Sequence, residues 1–223
     1  MNQMKRITAF LLMIVFAFAG CGNSAANKEE LSSDDISRSQ GNQIDQDDAN
    51  ALVIYFSRTG EQYNVGVIDK GNTAIIAEMI AQETGADSFE ILPQEDTYPY
   101  TYAELTDMAK REQNENARPL YIGEVPDLSQ YDVVFIGAPV WWGDWPMIMY
   151  TFFEDSADAL AGKTLIPFST HEGSGLSGFD RKLASACPGG IVGEGLAIAG
   201  TDAQNNQDSV RNTVKEWLTE LGY

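Results

Sequence analysis

The chain has 223 residues, with 33 acidic side chains against 14 Lys and Arg, and a formal charge of −19. This excess of negative charge argues against nucleic acid as a partner, because proteins bind nucleic acid by neutralising its phosphates with basic side chains. One histidine and two cysteines are also too few for a transition-metal site without carboxylate ligands. We therefore expect neither a nucleic-acid partner nor a bound metal.

The first 20 residues predict an export signal. The basic pair Lys5-Arg6 precedes an apolar run, Ile7–Ala19, that is shorter than the ~20 residues of a membrane-spanning helix but suits a signal-peptide core. The run ends in Phe18-Ala19-Gly20-Cys21, which resembles a bacterial lipobox. That resemblance implies cleavage before Cys21 and a lipid on its thiol, so that the exported protein contacts a membrane only through this anchor. An ordinary cleavage site at Ala17-Phe18-Ala19, which would release a soluble protein, is the alternative.

Residues 21–50 predict an acidic tether between the anchor and a folded domain. They contain no aromatic side chain and no apolar periodicity, so they bury too little surface to fold. The remaining Ala51–Tyr223 has the size of one domain, and its 26 acidic and 10 basic residues give a formal charge of −16. Its single cysteine, Cys187, is most simply a small buried residue, and with Cys21 lipidated no internal disulfide can form.

Apolar strands and helices alternate through this domain. In chain order we predict a strand at Leu52–Phe56, a helix at Thr73–Thr84, a strand at Ser88–Leu92, a helix at Thr101–Glu115, a strand at Val133–Gly137, a helix at Pro146–Phe153, a strand at Thr164–Ser169, a helix at Phe179–Ala186, a strand at Gly195–Ala199 and a helix at Asp208–Leu221. The alternation indicates an α/β fold in which a five-stranded parallel sheet has helices on both faces. Ligands of such sheets bind beyond the carboxyl ends of the strands.

The first candidate site joins the first strand to the first helix. Ser57-Arg58-Thr59-Gly60 follows the strand, and Gly71-Asn72-Thr73 precedes the helix. Small polar side chains, free backbone N–H groups and the helix dipole there would form a cradle for a phosphate. The alternative is a turn followed by a helix cap, where the same residue types are favoured.

Two further candidate segments follow the third and fourth strands. In Ala138-Pro139-Val140-Trp141-Trp142-Gly143, two adjacent tryptophans cannot both face the core easily, so one of them could stack on a flat ring. Trp142 is the better candidate, because Gly143 allows close approach, although the pair could also be a hydrophobic plug. The other segment is Ser169-Thr170-His171-Glu172-Gly173-Ser174. His171 could stabilise a negative ligand or move a proton, or it could be an exposed loop residue.

These segments together resemble the flavodoxin family, close to bacterial flavodoxin-like lipoproteins. The resemblance implies a three-layer sandwich with strand order 2-1-3-4-5 and an FMN cofactor. It assigns the FMN phosphate to Ser57, Arg58, Thr59, Gly60, Asn72 and Thr73. It assigns the flavin ring to Ala138, Pro139, Val140, Trp141, Trp142 and Gly143, and to Ser169, Thr170, His171, Gly173 and Ser174. The segment Asp96–Tyr102 resembles the one that can border the flavin edge in this family.

The chain departs from the family pattern in its first loop. Ordinary flavodoxins run straight from the Thr-Gly pair to the Asn-Thr of the helix, whereas Glu61–Lys70 is inserted here. We expect the insert to loop outward, so that Thr59 and Thr73 still meet at one phosphate. Because the family's phosphate sites rely on neutral donors, we also expect the Arg58 side chain to face solvent.

The charge of the domain suggests how such a cofactor would behave. One carboxylate ~10 Å from a flavin that gains an electron disfavours the added charge by about 1.7 kcal/mol at an effective dielectric constant of ~20. The sequence therefore predicts a low-potential electron carrier with a partner that is basic at the contact face. An FMN-dependent NAD(P)H:quinone-type oxidoreductase and a binding module without cofactor are the alternatives. Gly173-Ser174-Gly175 is not a nucleophile elbow, and we assign no catalytic residue.

Overall fold

The computed structural model describes residues 50–95 and 98–223. The predicted export signal, Cys21 and nearly all of the predicted tether lie outside the described residues, and so do Asp96 and Thr97 of the segment expected near the flavin edge. Among the described residues, none of the helices combines the length and apolar character needed to cross a membrane.

The domain consists of strands and helices that alternate along the chain. The strands are β1 Ala51–Tyr55, β2 Gly60–Gln62, β3 Gly66–Ile68, β4 Asp87–Glu90, β5 Leu92–Pro93, β6 Tyr121–Ile122, β7 Val133–Pro139, β8 Thr164–His171, β9 Ile191–Val192 and β10 Leu196–Ala199. The helices are α1 Asn72–Thr84, α2 Tyr102–Glu115, α3 Met147–Leu160, α4 Phe179–Ala186, α5 Gly200–Asn205 and α6 Gln207–Leu221.

The main sheet is parallel, with the strand order β4-β1-β7-β8-β10. Numbered by their order along the chain, these five strands have the order 2-1-3-4-5, so the predicted fold class is confirmed. The short β9 adds a further parallel pairing to β8. Helices α1, α5 and α6 cover one face of the sheet, and α2, α3 and α4 cover the other.

Side chains of the central strands alternate between the two hydrophobic cores. In β1, Leu52 and Ile54 pack into the core under α2, α3 and α4, whereas Val53 packs into the core under α1 and α6. All three side chains are fully buried. This two-sided burial explains why the strand is a continuous apolar run in the sequence.

Some elements differ from the sequence-based predictions. The fourth predicted strand continues to His171, because Pro167 is accommodated in the sheet and does not end it. Helix α3 extends to Leu160, well beyond the predicted end at Phe153. The short elements β2, β3, β5, β6, β9 and α5 were not predicted, since segments of two to six residues carry too little periodicity to be recognised.

The inserted segment forms a hairpin outside the main sheet. Its strands β2 and β3 pair as an antiparallel hairpin, which we call the insert hairpin (Gly60–Ile68). The chain returns at Gly71 so closely that an added Cβ atom would overlap Ser57 Oγ and would lie 2.7 Å from the Arg58 carbonyl oxygen. The two halves of the first candidate site are therefore in contact despite the insertion.

A buried pair of hydroxyls connects the start of α1 to the end of β8. Thr73 Oγ1 and Thr170 Oγ1 are 2.7 Å apart, and the two residues are 1% and 3% exposed. Buried hydroxyls lose stability when they are left without a partner. This pair therefore fixes the first turn of α1 above the carboxyl end of the sheet.

We expect Thr73→Val to lower the free energy of unfolding by about 1–3 kcal/mol, because it leaves the Thr170 hydroxyl buried without its partner. The double variant Thr73→Val/Thr170→Val should lose clearly less than the sum of the two single variants, since both polar groups are then removed together. Urea unfolding of the four proteins measures this coupling. Additive losses would show that the two hydroxyls do not interact.

Candidate cofactor site

A cavity of about 300 Å³, which we call the aromatic cavity, lies at the carboxyl ends of β7 and β8. The β7 and β8 loops and the insert hairpin contribute most of its walls. Its lining residues are Gln62, Tyr63, Asn72, Tyr102, Pro139, Val140, Trp141, Trp142, Gly143, Thr170, His171, Glu172 and Ser174.

A second cavity of about 520 Å³ lies on the β4 side of the first loop, and we call it the loop cavity. Ser57, Arg58, Thr59 and Gly71 line it, together with Tyr55 and Glu90 at the ends of β1 and β4 and with apolar residues of β5 and β6. The predicted site residues are thus divided between two cavities. Gly71 borders one and Asn72 the other, so the N-terminus of α1 lies at their junction.

The N-terminus of α1 has the features of an anion cradle. Ser57 Oγ accepts a hydrogen bond from the Ala74 N–H at 3.0 Å, and Gly71 at the N-cap provides no side-chain cap. The first turn of α1, which the structure describes in full, contains no acidic residue, and Lys70 precedes the N-cap residue Gly71. Unpaired N–H groups and the positive end of the helix dipole therefore remain for a negatively charged group.

The predicted partners of this cradle do not all meet there. The side chain of Thr73 is buried against Thr170, whereas Thr59 is exposed. Asn72 Oδ1 accepts a hydrogen bond from Gln204 Nε2 at 2.8 Å, which ties it to α5. These contacts give no support to the expectation that Thr59 and Thr73 meet at one phosphate, which stays a prediction. Among the predicted hydroxyls, the one of Ser57 lies next to the cradle. Gly60, which was also predicted to hold the phosphate, is buried at the start of the insert hairpin.

The Arg58 side chain differs from the expectation that it faces solvent. It is half-buried, its Nε and Nη2 atoms are shielded from water, and Nη1 donates to the Thr59 carbonyl oxygen at 3.0 Å. Arg58 also lies near Tyr98, where its charge opposes the rise in the tyrosine pKa that burial causes. The side chain thus belongs to the interior of the loop cavity.

The two adjacent tryptophans have different environments: Trp141 packs against other aromatic rings, and Trp142 is exposed. Trp141 packs edge-on against Phe56 and Tyr98, with ring centroids 5.4 Å and 5.3 Å apart. Trp142 is 53% exposed and adopts a φ of +49°, which turns it away from its neighbour. Its Nε1–H donates to the Thr106 carbonyl oxygen at 2.8 Å, and this bond fixes the exposed ring against α2.

The single histidine, His171, is the last residue of β8, and a hydrogen bond to its ring indicates which nitrogen carries the proton. His171 Nδ1 accepts the Gly173 N–H at 2.9 Å, so the neutral ring carries its proton on Nε2. Burial lowers the pKa of His171, and the neighbouring Glu172 partly offsets this effect. The half-buried ring therefore presents a neutral Nε2–H donor at the border of the aromatic cavity.

The rest of this loop is held by local hydrogen bonds. Both oxygens of Glu172 accept from Thr201, one from its N–H at 2.7 Å and the other from its hydroxyl at 2.8 Å. Ser169 is fully buried and donates to the Gly175 carbonyl oxygen at 3.1 Å. Gly173 and Ser174 are exposed at the rim, while Ala138 at the end of β7 is fully buried.

Sequence reasoning missed three features of the site. The insert hairpin contributes Gln62 and Tyr63 to the aromatic cavity, and α5 holds the loop after β8. The third feature is Glu112, a carboxyl that is only 9% exposed and accepts a hydrogen bond from the Tyr98 hydroxyl at 3.3 Å. It follows Lys110 and Arg111 in α2, so the local sequence gives no sign of burial, and only tertiary packing shows it.

The flavodoxin family profile matches residues 50–221. The chain belongs to the flavodoxin family. A comparison of the sequence with curated proteins gives no match. Among the residues that the structure describes, no group of three or more His, Cys, Asp and Glu side chains could hold a metal ion.

Solved structures of flavoproteins resemble this flavodoxin domain along its length. A candidate flavoprotein from Bacteroides eggerthii is 30% identical and has a TM-score of 0.60, with 78% of this chain and 99% of that chain covered. A candidate flavoprotein from Bacteroides uniformis is 28% identical, with a TM-score of 0.59 and coverages of 77% and 98%. A flavoprotein from Lactobacillus acidophilus in complex with FMN is 22% identical, with a TM-score of 0.53 and coverages of 72% and 99%.

The buried carboxyl of Glu112 generates a pH-dependence prediction. Burial raises the pKa of Glu112 from 4.5 to about 7, although the Tyr98 hydrogen bond acts in the opposite direction. Between these values the folded protein holds a proton that the unfolded chain has lost. The associated stability is present below pH 4.5 and is lost as the pH rises through about 7.

We expect Glu112→Gln to remove this part of the pH dependence, which amounts to at most roughly 3 kcal/mol. Denaturant unfolding at about pH 5 and about pH 8 measures it, because these values bracket most of the transition. Glu115→Gln changes an exposed carboxyl of the same helix and is the matched control. An identical loss of stability between the two pH values in wild type and Glu112→Gln would contradict the prediction.

Proposed function

We propose that this protein binds FMN and acts as a low-potential electron carrier at the outer face of a bacterial membrane, where a lipid on Cys21 holds it. The observation that carries the proposal is the N-terminus of α1, which has no side-chain cap and lies at the junction of the loop cavity and the aromatic cavity. Family membership and the FMN complex of the Lactobacillus acidophilus flavoprotein support the choice of cofactor.

The residues of the site suit both the phosphate and the flavin ring of FMN. The helix N-terminus and the Ser57 hydroxyl would hold the phosphate, next to the ion pair of Lys70 with Glu78. The exposed Trp142 ring would contact the flavin ring, and the Nε2–H of His171 would donate to one of its polar atoms. Bound FMN supplies one- and two-electron redox chemistry. The protein contributes binding, orientation and the charge around the site.

Charge supports the proposal of a low potential. The domain Ala51–Tyr223 has 16 more acidic than basic residues, and Glu61, Glu172 and Asp69 lie on segments that border the two cavities. These carboxylates oppose the gain of negative charge at the site, and salt weakens the effect of the distant ones. The same surface would attract a redox partner that is basic at the contact face.

The position of the chain's entry into the domain supports the proposed anchoring. Asn50 precedes β1, and its carbonyl oxygen accepts the Asp132 N–H at 2.9 Å at the amino ends of the parallel strands. The candidate site lies at the carboxyl ends of the same strands. A protein attached through its N-terminal segment would keep the site accessible to a partner.

We expect Gly71→Ala to weaken FMN binding by tenfold or more, because the added Cβ would overlap Ser57 Oγ and the Arg58 backbone and distort the cradle. Quenching of flavin fluorescence during titration of the flavin-free protein measures the Kd. Gly193→Ala is the matched control, since its Cβ would make an ordinary 3.4 Å contact with Ile166. Equal affinities of wild type and Gly71→Ala, or no FMN binding by the wild type, would contradict the proposal.

We expect Cys21→Ala to move the protein from the membrane fraction to the soluble fraction, because the proposed acyl chains provide its membrane attachment. Metabolic labelling with a radioactive fatty acid should mark the wild type and not the variant. Ser24→Ala, a nearby change that leaves the thiol in place, is the control. An unlabelled wild-type protein in the soluble fraction would favour ordinary cleavage at Ala17-Phe18-Ala19.

A further inference from the structure

We propose that Lys110 of α2 is a positioning residue of the cofactor site: it holds one face of the Trp142 ring and places a positive charge behind that ring, which favours the reduced cofactor. The inference rests on the proposed FMN binding and adds a residue that affects the two redox states of the cofactor differently. Three contacts along one face of α2 support it.

One face of α2 holds Trp142 at three points. Thr106, Lys110 and Gln113 are spaced at i, i+4 and i+7, so they lie on the same side of the helix. The Thr106 carbonyl oxygen accepts the Trp142 Nε1–H at 2.8 Å, and Lys110 Nζ lies over the ring, 5.1 Å from its centroid. Gln113 Nε2 donates to the Trp142 carbonyl oxygen at 3.3 Å. The edge of the ring, one of its faces and the backbone are thus each held by α2.

The contacts on α2 also support one another. Lys110 Nζ donates to Gln113 Oε1 at 2.8 Å, so the side chain that bonds the Trp142 backbone also fixes the ammonium group over the ring. An ammonium group in this position is attracted by the negative charge density on the face of the indole. The ring, the ammonium group and the Gln113 amide therefore form a closed set of contacts.

The backbone at Trp142 depends on such support. Trp142 and Gly143 have φ angles of +49° and +73°, at the centre of a tight turn that Trp141 and Asp144 close by exchanging two backbone hydrogen bonds. The left-handed conformation is unfavourable for a side chain as large as that of tryptophan. The contacts with α2 offset this cost and select the one direction in which the ring points.

Lys110 covers a part of the ring that faces neither neighbouring cavity. Trp142 borders the aromatic cavity and a further cavity of about 370 Å³, whose lining also includes Leu105 and Ala109 of α2. Lys110 lines neither of them. A flat ring bound in either cavity would therefore stack on the uncovered part of the indole, and the indole would separate the ligand from the ammonium group.

The position of this charge matters for reduction. Reduction of FMN by two electrons and one proton from solvent adds one negative charge to the cofactor. Because the ammonium group is 5.1 Å from the centre of the Trp142 ring, a ligand stacked on that ring lies within the Debye length of about 10 Å at 0.1 M salt. The attraction favours the reduced cofactor over the oxidised one, and it opposes the effect of the surrounding carboxylates.

The test compares the full-length wild type with Lys110→Gln, which removes the charge, and with Lys110→Arg, which retains it. Arg111→Gln is the matched control, because it removes one positive charge from an exposed neighbour on α2 that borders none of the three cavities. The first readout, on the flavin-free protein, is the quenching of tryptophan fluorescence by neutral acrylamide. It reports mainly on Trp142, which is 53% exposed, whereas Trp145 and Trp217 are buried.

Two readouts concern the cofactor. The Kd for FMN is measured by quenching of flavin fluorescence. The two-electron reduction potential of bound FMN is measured by equilibration with a dye of known potential, while xanthine supplies the electrons and is oxidised to urate by xanthine oxidase. The Kd is also measured for Trp142→Ala and for Trp142→Ala/Lys110→Gln, because Lys110 should affect binding of the oxidised cofactor only through the ring.

We expect Lys110→Gln to increase acrylamide quenching and to weaken binding of oxidised FMN about threefold, because the ring is held less firmly. Binding of reduced FMN should weaken about tenfold more than that, which lowers the two-electron potential by about 30 mV. Lys110→Arg should stay close to wild type in all three readouts, since a guanidinium group also lies favourably over an indole. Arg111→Gln should match wild type in quenching and Kd and shift the potential clearly less.

The outcomes separate this inference from the proposed function. No FMN binding by the wild type would overturn the proposed function, and with it the role of Lys110 toward the cofactor. FMN binding with the same Kd and potential in wild type and Lys110→Gln would overturn the inference alone. Unchanged acrylamide quenching in Lys110→Gln would do so as well, because the ammonium group would then not cover the ring.

Three further results would contradict the role of Lys110. Equal shifts of the potential in Lys110→Gln and Arg111→Gln would show that only the net charge of α2 matters. A shifted potential in Lys110→Arg would show that the retained charge is not what favours the reduced cofactor. An undiminished effect of Lys110→Gln on the Kd in the Trp142→Ala background would show that Lys110 does not act through the ring.

Discussion

The site depends on one close contact, that of Gly71 with the Ser57-Arg58 backbone. An added Cβ at Gly71 would lie within 3 Å of Ser57 Oγ and of two Arg58 backbone atoms. This contact closes the base of the inserted segment, so the first turn of α1 stays directly beyond β1. The Thr73–Thr170 hydroxyl pair then fixes that turn to β8, and the helix N-terminus remains at the junction of the two cavities.

The sequence predicts those parts of the fold that depend on long apolar patterns. The runs at Leu52–Phe56 and Val133–Gly137 are buried on both faces, which identifies a parallel sheet and places the three candidate loops at its carboxyl edge. The directions of Arg58 and Thr73 could not be predicted. A short loop places a side chain inward or outward according to its tertiary neighbours, here Tyr98 and Thr170, which lie far along the chain.

The aromatic segment after β7 shows how two neighbouring residues acquire different roles. The left-handed backbone conformation of Trp142 reverses the chain direction, so that Trp141 packs inward while the next ring lies outside. Trp141 and Tyr98 are in contact, and Tyr98 donates to the buried Glu112 carboxyl. The wall of the aromatic cavity is therefore linked, through Trp141 and Tyr98, to a carboxyl whose pKa burial raises to about 7.

The inserted segment adds residues to the wall of the candidate site without rearranging the main sheet. Its pairing is local, because β2 and β3 bond only to each other among the described strands, and it contacts the rest of the domain through side chains and single backbone bonds. Under the proposed function, the N-terminus of α1 would hold the phosphate of FMN, and Gln62 and Tyr63 of the hairpin would form part of the wall beside it.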